Sequence, residues 1–176
     1  MQTQPSLIAV DMDGTFLTDA KTFDTERFSA ILDRLDARGI RFVVASGNTY
    51  AKLQDYMRGF ENRGLIYIAE NGAYLADDSG QLAVHPFREE DVPAIYEVLD
   101  GLKQIGLLVC TTEGIFLPKD RREQIVHVIR NYFEDTGQSI PDTLTLEDFA
   151  GFFFPGAILV DSIEEARGTP IKFPLL

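Results

Sequence analysis

Asp11 and Asp13 stand two residues apart in Asp11-Met12-Asp13-Gly14-Thr15, directly after the apolar run Leu7-Ile8-Ala9-Val10. A short apolar run bounded by polar residues reads as a buried parallel strand, and open α/β sheets bind ligands outside the carboxyl ends of their strands. Alternate residues of an extended segment point the same way, so the spacing predicts that both carboxylates serve one site. Gly14 lets the backbone turn sharply and approach a bound anion at low cost. Two close carboxylates repel each other unless a cation sits between them, which makes a hard, oxygen-seeking ion such as Mg2+ the natural third party at Asp11 and Asp13. In that arrangement Asp11 can be the nucleophile and form an aspartyl phosphate, while Asp13 protonates the leaving oxygen and later activates water. Dividing the displacement into two steps suits a phosphomonoesterase, whose uncatalysed hydrolysis is among the slowest known.

A second candidate follows the second apolar run. Ser46-Gly47-Asn48 comes after Phe42-Val43-Val44-Ala45, where a hydroxyl and successive backbone N–H groups can meet an anion at the start of the next helix. Alone, such a turn reads as a helix cap. Beside the paired aspartates it reads as a phosphate seat.

The elements that must position these residues alternate. After a short excursion over Phe16–Phe23, Asp24 caps a predicted helix with Phe28, Ile31, Leu32 and Leu35 at helical spacing, and Gly39 ends it. A second helix over Tyr50–Phe60 leads through Gly64 to a third strand, Leu65–Ala69. Strand, helix and strand in alternation predict an α/β fold with a parallel sheet, whose strand ends bring Asp11, Ser46 and Glu70-Asn71-Gly72 to one edge. Beyond Ala73 the pattern changes. Tyr74-Leu75 and Leu82–Val84 flank the turn Asp77-Asp78-Ser79-Gly80, then come a helix over Glu89–Ile105, short strands at Leu107–Thr111 and Ile115–Leu117, and a helix over Arg121–Phe133. That is an α+β layer. Phe152-Phe153-Phe154 and Ile158-Leu159-Val160 read as strands or buried loop, with Pro155, Pro170 and Pro174 against regular strands. The closing apolar segment Ile171–Leu176 calls for a partner, and the chain reads as cut short.

Composition narrows the classes of function. The 176 residues, 45% hydrophobic, suffice for a real core. With 16 basic against 28 acidic residues, the net charge of -12 opposes binding to nucleic acid or anionic membrane. An acidic protein that handles phosphate needs local compensation from a cation or backbone amides. Cys110, the single cysteine, reads as a buried structural thiol and suits a reducing, cytoplasmic setting. No apolar stretch approaches the roughly 20 residues of a membrane span. His85 and His127 lack ligand spacing, and Arg121 and Arg122 read as a solvated helix start, or as cations that reach an anionic substrate.

Val10-Asp11-Met12-Asp13-Gly14-Thr15-Phe16-Leu17, Gly39–Asn48 and Glu70-Asn71-Gly72-Ala73 together resemble the haloacid dehalogenase superfamily of phosphohydrolases, and within it the Cof-type sugar phosphatases. The resemblance implies a Rossmann-like parallel-sheet core over residues 1–73 and an inserted α+β cap over 74–176. It makes Asp11 the nucleophile and Asp13 the acid/base, with the Asp11 side chain and the Asp13 backbone carbonyl on Mg2+. Ser46 then binds the phosphoryl group, as does the Gly47 backbone, beside Gly14. Asn48 stands where many relatives have Arg and bears on specificity, while Asn71 belongs to a turn that faces the site. The implied substrates are sugar phosphates or similar small phosphorylated metabolites. The family's third-motif lysine and its fourth motif, GDxxND, do not occur after residue 73, and Lys172 reads as part of a cap strand instead. The core is therefore expected to be incomplete, with the Leu7–Val10 strand as an apolar edge that invites association. The alternative reading is a truncated, catalytically inactive fragment that binds phosphate and Mg2+.

Overall fold

The computed structural model describes residues 5–135, 145–154 and 156–176. Two compact units divide between His85 and Pro86. In the first, strands β1 (Leu7–Asp11), β2 (Arg41–Ala45), β3 (Ile66–Ala69), β4 (Tyr74–Asp77) and β5 (Gly80–Val84) form one sheet in the order β1-β2-β3-β4-β5. The first three are parallel, and β4 and β5 continue the sheet antiparallel. The hairpin assigned from sequence to the second segment thus pairs with β3, and the first unit runs twelve residues past Ala73. Antiparallel neighbours need only a tight connection, and the Glu70–Gly72 turn supplies it.

Helix α1 (Thr25–Asp36) forms where the caps and the periodicity place it. The Asp24 carboxylate accepts the Arg27 amide at 2.9 Å, and Gly39 takes the left-handed conformation at φ 67°. Phe28, Leu32 and Leu35 are buried against the sheet core, whereas Ile31 stays 37% exposed, so the apolar stripe is narrower than its spacing suggests. Helix α2 (Tyr50–Tyr56) is capped by Thr49 and ends short of Phe60. Phe16, Phe23, Phe28, Phe42 and Phe60 gather with ring centroids 4.8 to 5.9 Å apart, which fastens the Phe16–Phe23 excursion to α1 and β2. Among the described residues, strand β1 pairs with β2 alone and lies at the sheet edge, with Leu7 52% and Ile8 37% exposed.

The second unit contains helix α3 (Val92–Asp100), strands β6 (Val109–Thr111) and β7 (Gly114–Pro118), helices α4 (Arg122–Asp135) and α5 (Leu146–Phe153), and strands β8 (Ile158–Val160) and β9 (Pro170–Lys172). Its sheet runs β8-β7-β6-β9. Lys172 lies opposite Cys110 in β9, a strand of this unit, and the apolar C-terminal segment finds its partner here, since Leu108 N donates to Pro174 O and Leu176 N to Gly106 O. Cys110 is buried and outside any disulfide.

Two expectations fail. Phe152 and Phe153 are neither strand nor loop, and of the three only Phe154 lies outside a helix: Thr145 and Asp148 form a reciprocal capping box that starts α5, which runs to Phe153, and Pro155 lies outside the described residues. Arg121 is neither solvated nor free to reach a substrate. It is 1% exposed, and its guanidinium donates to the carbonyls of Leu99 (2.7 Å) and Leu102 (2.5 Å), which closes the C-terminal end of α3. Among the described residues, no helix is long and apolar enough to cross a membrane.

Candidate active site

Asp11 closes β1 in register with Ala45, so the strand end that carries the first carboxylate adjoins the one that carries Ser46. The chain then winds through one wide turn over Met12–Phe16, shut by Leu17 N donating to Met12 O at 2.8 Å. Gly14 takes φ 72° inside it, a conformation that an L side chain enters only under strain. Met12 is fully buried while Asp11 and Asp13 are exposed, so the two carboxylates share the open side of the motif.

Around Asp13 the side chains form a connected set. Lys21 Nζ donates to Asp13 Oδ1 at 2.6 Å, and Asn48 Nδ2 donates to Asp13 Oδ2 at 2.8 Å. Asn48 also reaches Ser46, through its Nδ2 and its backbone N, both 3.1 Å from Ser46 Oγ. With two donors on its lone pairs, the Ser46 hydroxyl is left as a donor, the polarity that a phosphoryl oxygen needs. The expected cradle of backbone amides differs in detail. Ser46 N is spent on Ile68 O at 2.9 Å, and Asn48 N on Ser46 Oγ, so the seat rests more on the hydroxyl than on those two amides.

Asn71 joins from the end of β3. Its backbone N donates to Ser46 O at 3.4 Å, and it holds φ 58°. Its Oδ1 would lie 2.5 Å from a Cβ at position 47, so any larger residue there would make the Asn71 side chain move aside. The structure therefore unites Asp13, Ser46 and Asn48 by direct bonds, brings Gly47 against Asn71, and sets Asp11 and Gly14 in the adjoining strand end and turn.

Lys21 was not among the sequence candidates. Its one signal is that it is the sole cation in Phe16–Phe23. It adopts φ 57° at a tight turn in which Lys21 N donates to Thr18 O, and this directs a long side chain back to Asp13. The Lys21 ammonium, assisted by the Asn48 amide, holds the Asp13 carboxyl below the usual carboxylate range, against a smaller opposing effect of burial. The arrangement thus favours the ionised Asp13, the form that accepts a proton.

Among the described residues, no group of three or more His, Cys, Asp or Glu side chains is placed to hold a metal ion. The Asp11 carboxylate and the Asp13 carbonyl are nevertheless two hard oxygen donors. Mg2+ is commonly held by one or two carboxylates, with water and substrate oxygens completing the octahedron, and this donor set fits an ion held partly by substrate.

Residues 8–155 match the family profile described as haloacid dehalogenase-like hydrolase. The chain is 32% identical over 157 residues to the 5-amino-6-(5-phospho-D-ribitylamino)uracil phosphatase YbjI of Escherichia coli strain K12, covering 89% of this chain and 56% of that protein. The crystal structure of SMU.1108c from Streptococcus mutans UA159 superposes with a TM-score of 0.73 at 29% identity, over 98% of this chain and 57% of that one. A haloacid dehalogenase-like hydrolase from B. subtilis shares the fold with a TM-score of 0.65 at 20% identity, over 94% and 58% of the two chains. The chain thus spans somewhat more than half the length of these relatives. Its mixed sheets and its likeness to them give the α/β class expected: a Rossmann-like core and a cap.

Proposed function

This chain belongs to the haloacid dehalogenase-like hydrolases, as its Cof-type motifs suggest, and from that we propose that it serves as a Mg2+-dependent phosphomonoesterase on sugar phosphates or similar small phosphorylated metabolites. The observation that carries the proposal is the bonded set Asp13, Asn48 and Ser46 beside the strand end that bears Asp11. A phosphorylated ribityl compound in the name of the Escherichia coli relative accords with this substrate class. The single buried thiol accords with a cytoplasmic setting.

In the proposed reaction an Asp11 carboxylate oxygen attacks phosphorus, the bond from phosphorus to the substrate oxygen breaks, and that oxygen takes a proton from Asp13. Asp13 then removes a proton from water, whose oxygen attacks the aspartyl phosphate. The bond to Asp11 breaks and inorganic phosphate leaves. Ser46 Oγ and the Gly47 backbone hold the phosphoryl oxygens, the Gly14 turn admits them, Asn71 keeps Gly47 in place, and Asn48 orients both Asp13 and Ser46. Bound at Asp11 and the Asp13 carbonyl, Mg2+ would offset the repulsion between carboxylate and phosphate. The Lys21 contact suits Asp13 as a base. For its turn as an acid, an incoming phosphate dianion competes for the Lys21 ammonium and releases the carboxyl to take up a proton.

A second reading, a phosphate- and Mg2+-binding protein without turnover, is favoured by the lack of a third acidic ligand among the described residues. The assay is hydrolysis of p-nitrophenyl phosphate with Mg2+, run beside Asp11→Asn and Asp13→Asn. Turnover abolished in Asp11→Asn supports the first reading, and robust activity unchanged in both variants refutes it. No turnover, with Mg2+-dependent protection of β1 amides from hydrogen exchange, selects the second. The exposed β1 edge supports self-association as well, which sedimentation velocity reads directly.

A further inference from the structure

Within the first unit, an open groove of about 740 Å³ runs along one side of α2 to the β4–β5 turn, and none of Asp11, Asp13, Ser46, Asn48 or Asn71 lines it. The register Ile66↔Asp77 puts that turn beside the start of β3, at the pole of the sheet opposite Asn71. The groove's walls combine two chemistries. Tyr50 and Tyr67 meet edge to face at 5.3 Å and supply the aromatic wall. Glu61, Asp77 and Asp78 supply carboxylates, and their hydrogen-bond donors are backbone amides and the Ser79 hydroxyl, so their charges are not neutralised by those bonds. Arg58, the one cation of the lining, is paired with Asp55.

Tyr67 is what points to a ligand. The residue is 5% exposed, yet its hydroxyl has no hydrogen-bond partner among the described residues. Its oxygen is not sealed in the protein interior and opens on the groove that the ring lines. A phenol held in this way lacks a partner that water or a ligand must supply. Burial first, then the neighbouring Tyr50 and the carboxylates of Asp78 and Glu61, keep this hydroxyl protonated, a sign that the negative field reaches the groove floor.

We propose that this groove binds a linear aliphatic polyamine, whose ammonium groups meet Glu61, Asp77 and Asp78 and whose methylenes lie along Tyr50 and Tyr67. An anion is opposed by the lining charge. A bare metal ion would leave most of the volume and both rings without contacts, whereas ammonium groups on an apolar stem satisfy the carboxylates, the ring faces and the Tyr67 oxygen together.

The test is an amide-resolved NMR titration of the whole chain with spermidine at about 150 mM salt. Saturable shifts confined to α2, Tyr67 and Asp77–Gly80 are expected. Tyr67→Phe, which keeps the buried ring, should weaken binding about 3- to 10-fold through loss of one hydrogen bond. Asp78→Asn should weaken it similarly while retaining an oxygen to accept Gly64 N, so it serves should Tyr67→Phe fail to fold. Glu26→Gln, a charge change on α1 outside the groove, should leave affinity within twofold. Shifts that never saturate, equal weakening by Glu26→Gln, or the same shifts from Mg2+ at matched ionic strength would each overturn the proposal, by showing only general attraction to an acidic surface.

Discussion

Replacing Phe28 by alanine tests the packing that holds the Asp13 turn. Phe28 is 3% exposed, and its ring lies 4.9 to 5.5 Å from those of Phe16, Phe23, Phe42 and Phe60. Truncating such a residue costs about 3–5 kcal/mol, the lost transfer energy plus the cavity left behind. Surrounding phenylalanine rings collapse poorly into a void, which argues for the upper half of that range. Ile31, three residues on in the same helix, is the control, because it is 37% exposed and should cost only about 1 kcal/mol. Native-state hydrogen exchange at the Val43 and Val44 amides of β2 reads the difference. Phe28→Ala should speed exchange by about three to three and a half orders of magnitude, at 1.4 kcal/mol for each factor of ten, and Ile31→Ala by less than about one. Because Phe16 and Phe23 bound the loop that carries Lys21, the Phe28 variant should also loosen the Lys21–Asp13 ion pair. Equal effects from the two substitutions would show that the five-ring cluster is not what stabilises this unit.

Three further outcomes are expected. Gly47→Ala should push the Asn71 side chain aside and lower stability by no more than about 1 kcal/mol, and adding Asn71→Gly should restore most of it, as read from the melting temperature. Lys21→Ala should raise the Asp13 pKa toward its ordinary value of about 3.9 in a carboxyl-carbon NMR titration; since the folded value is depressed, the pair contributes stability above that pH and loses it as pH falls through the folded value. Tyr67, pushed up to about 12 chiefly by burial, should ionise above the ordinary tyrosine value of about 10 in an ultraviolet titration; its folded value is raised, so the linked stability is intact below about pH 10 and is lost as pH climbs through 12.

What was legible in the sequence was local. Leu7–Val10 as a strand, Asp24 and Gly39 as helix bounds, and the Asp77–Gly80 turn each follow from neighbouring residues, and each lies where expected. Asn48 was legible as a candidate position, but its bond to Asp13 spans 35 residues and depends on strand register. Lys21 was missed because its role comes from one left-handed residue that folds a flexible side chain back eight positions. Arg121 reads as solvated in any one-dimensional view, since the carbonyls that enclose it belong to a helix end some twenty residues earlier. The boundary at Ala73 was placed where the helix–strand alternation stops, yet a sheet accepts an antiparallel hairpin without any break in its hydrogen bonding.

Met12 gives the paired aspartates a second meaning. A parallel strand held, among the described residues, from one side by β2 has little besides its side chains to fix its translation. Sliding β1 by one residue would draw the fully buried Met12 into water and drive a carboxylate into the core, a loss of several kcal/mol. The alternation of acid, apolar residue and acid is thus a ratchet tooth, and it allows the Asp11 carboxylate only one address along the strand. A polar residue at position 12 would leave both carboxylates in place in the sequence and take away the certainty of where they stand.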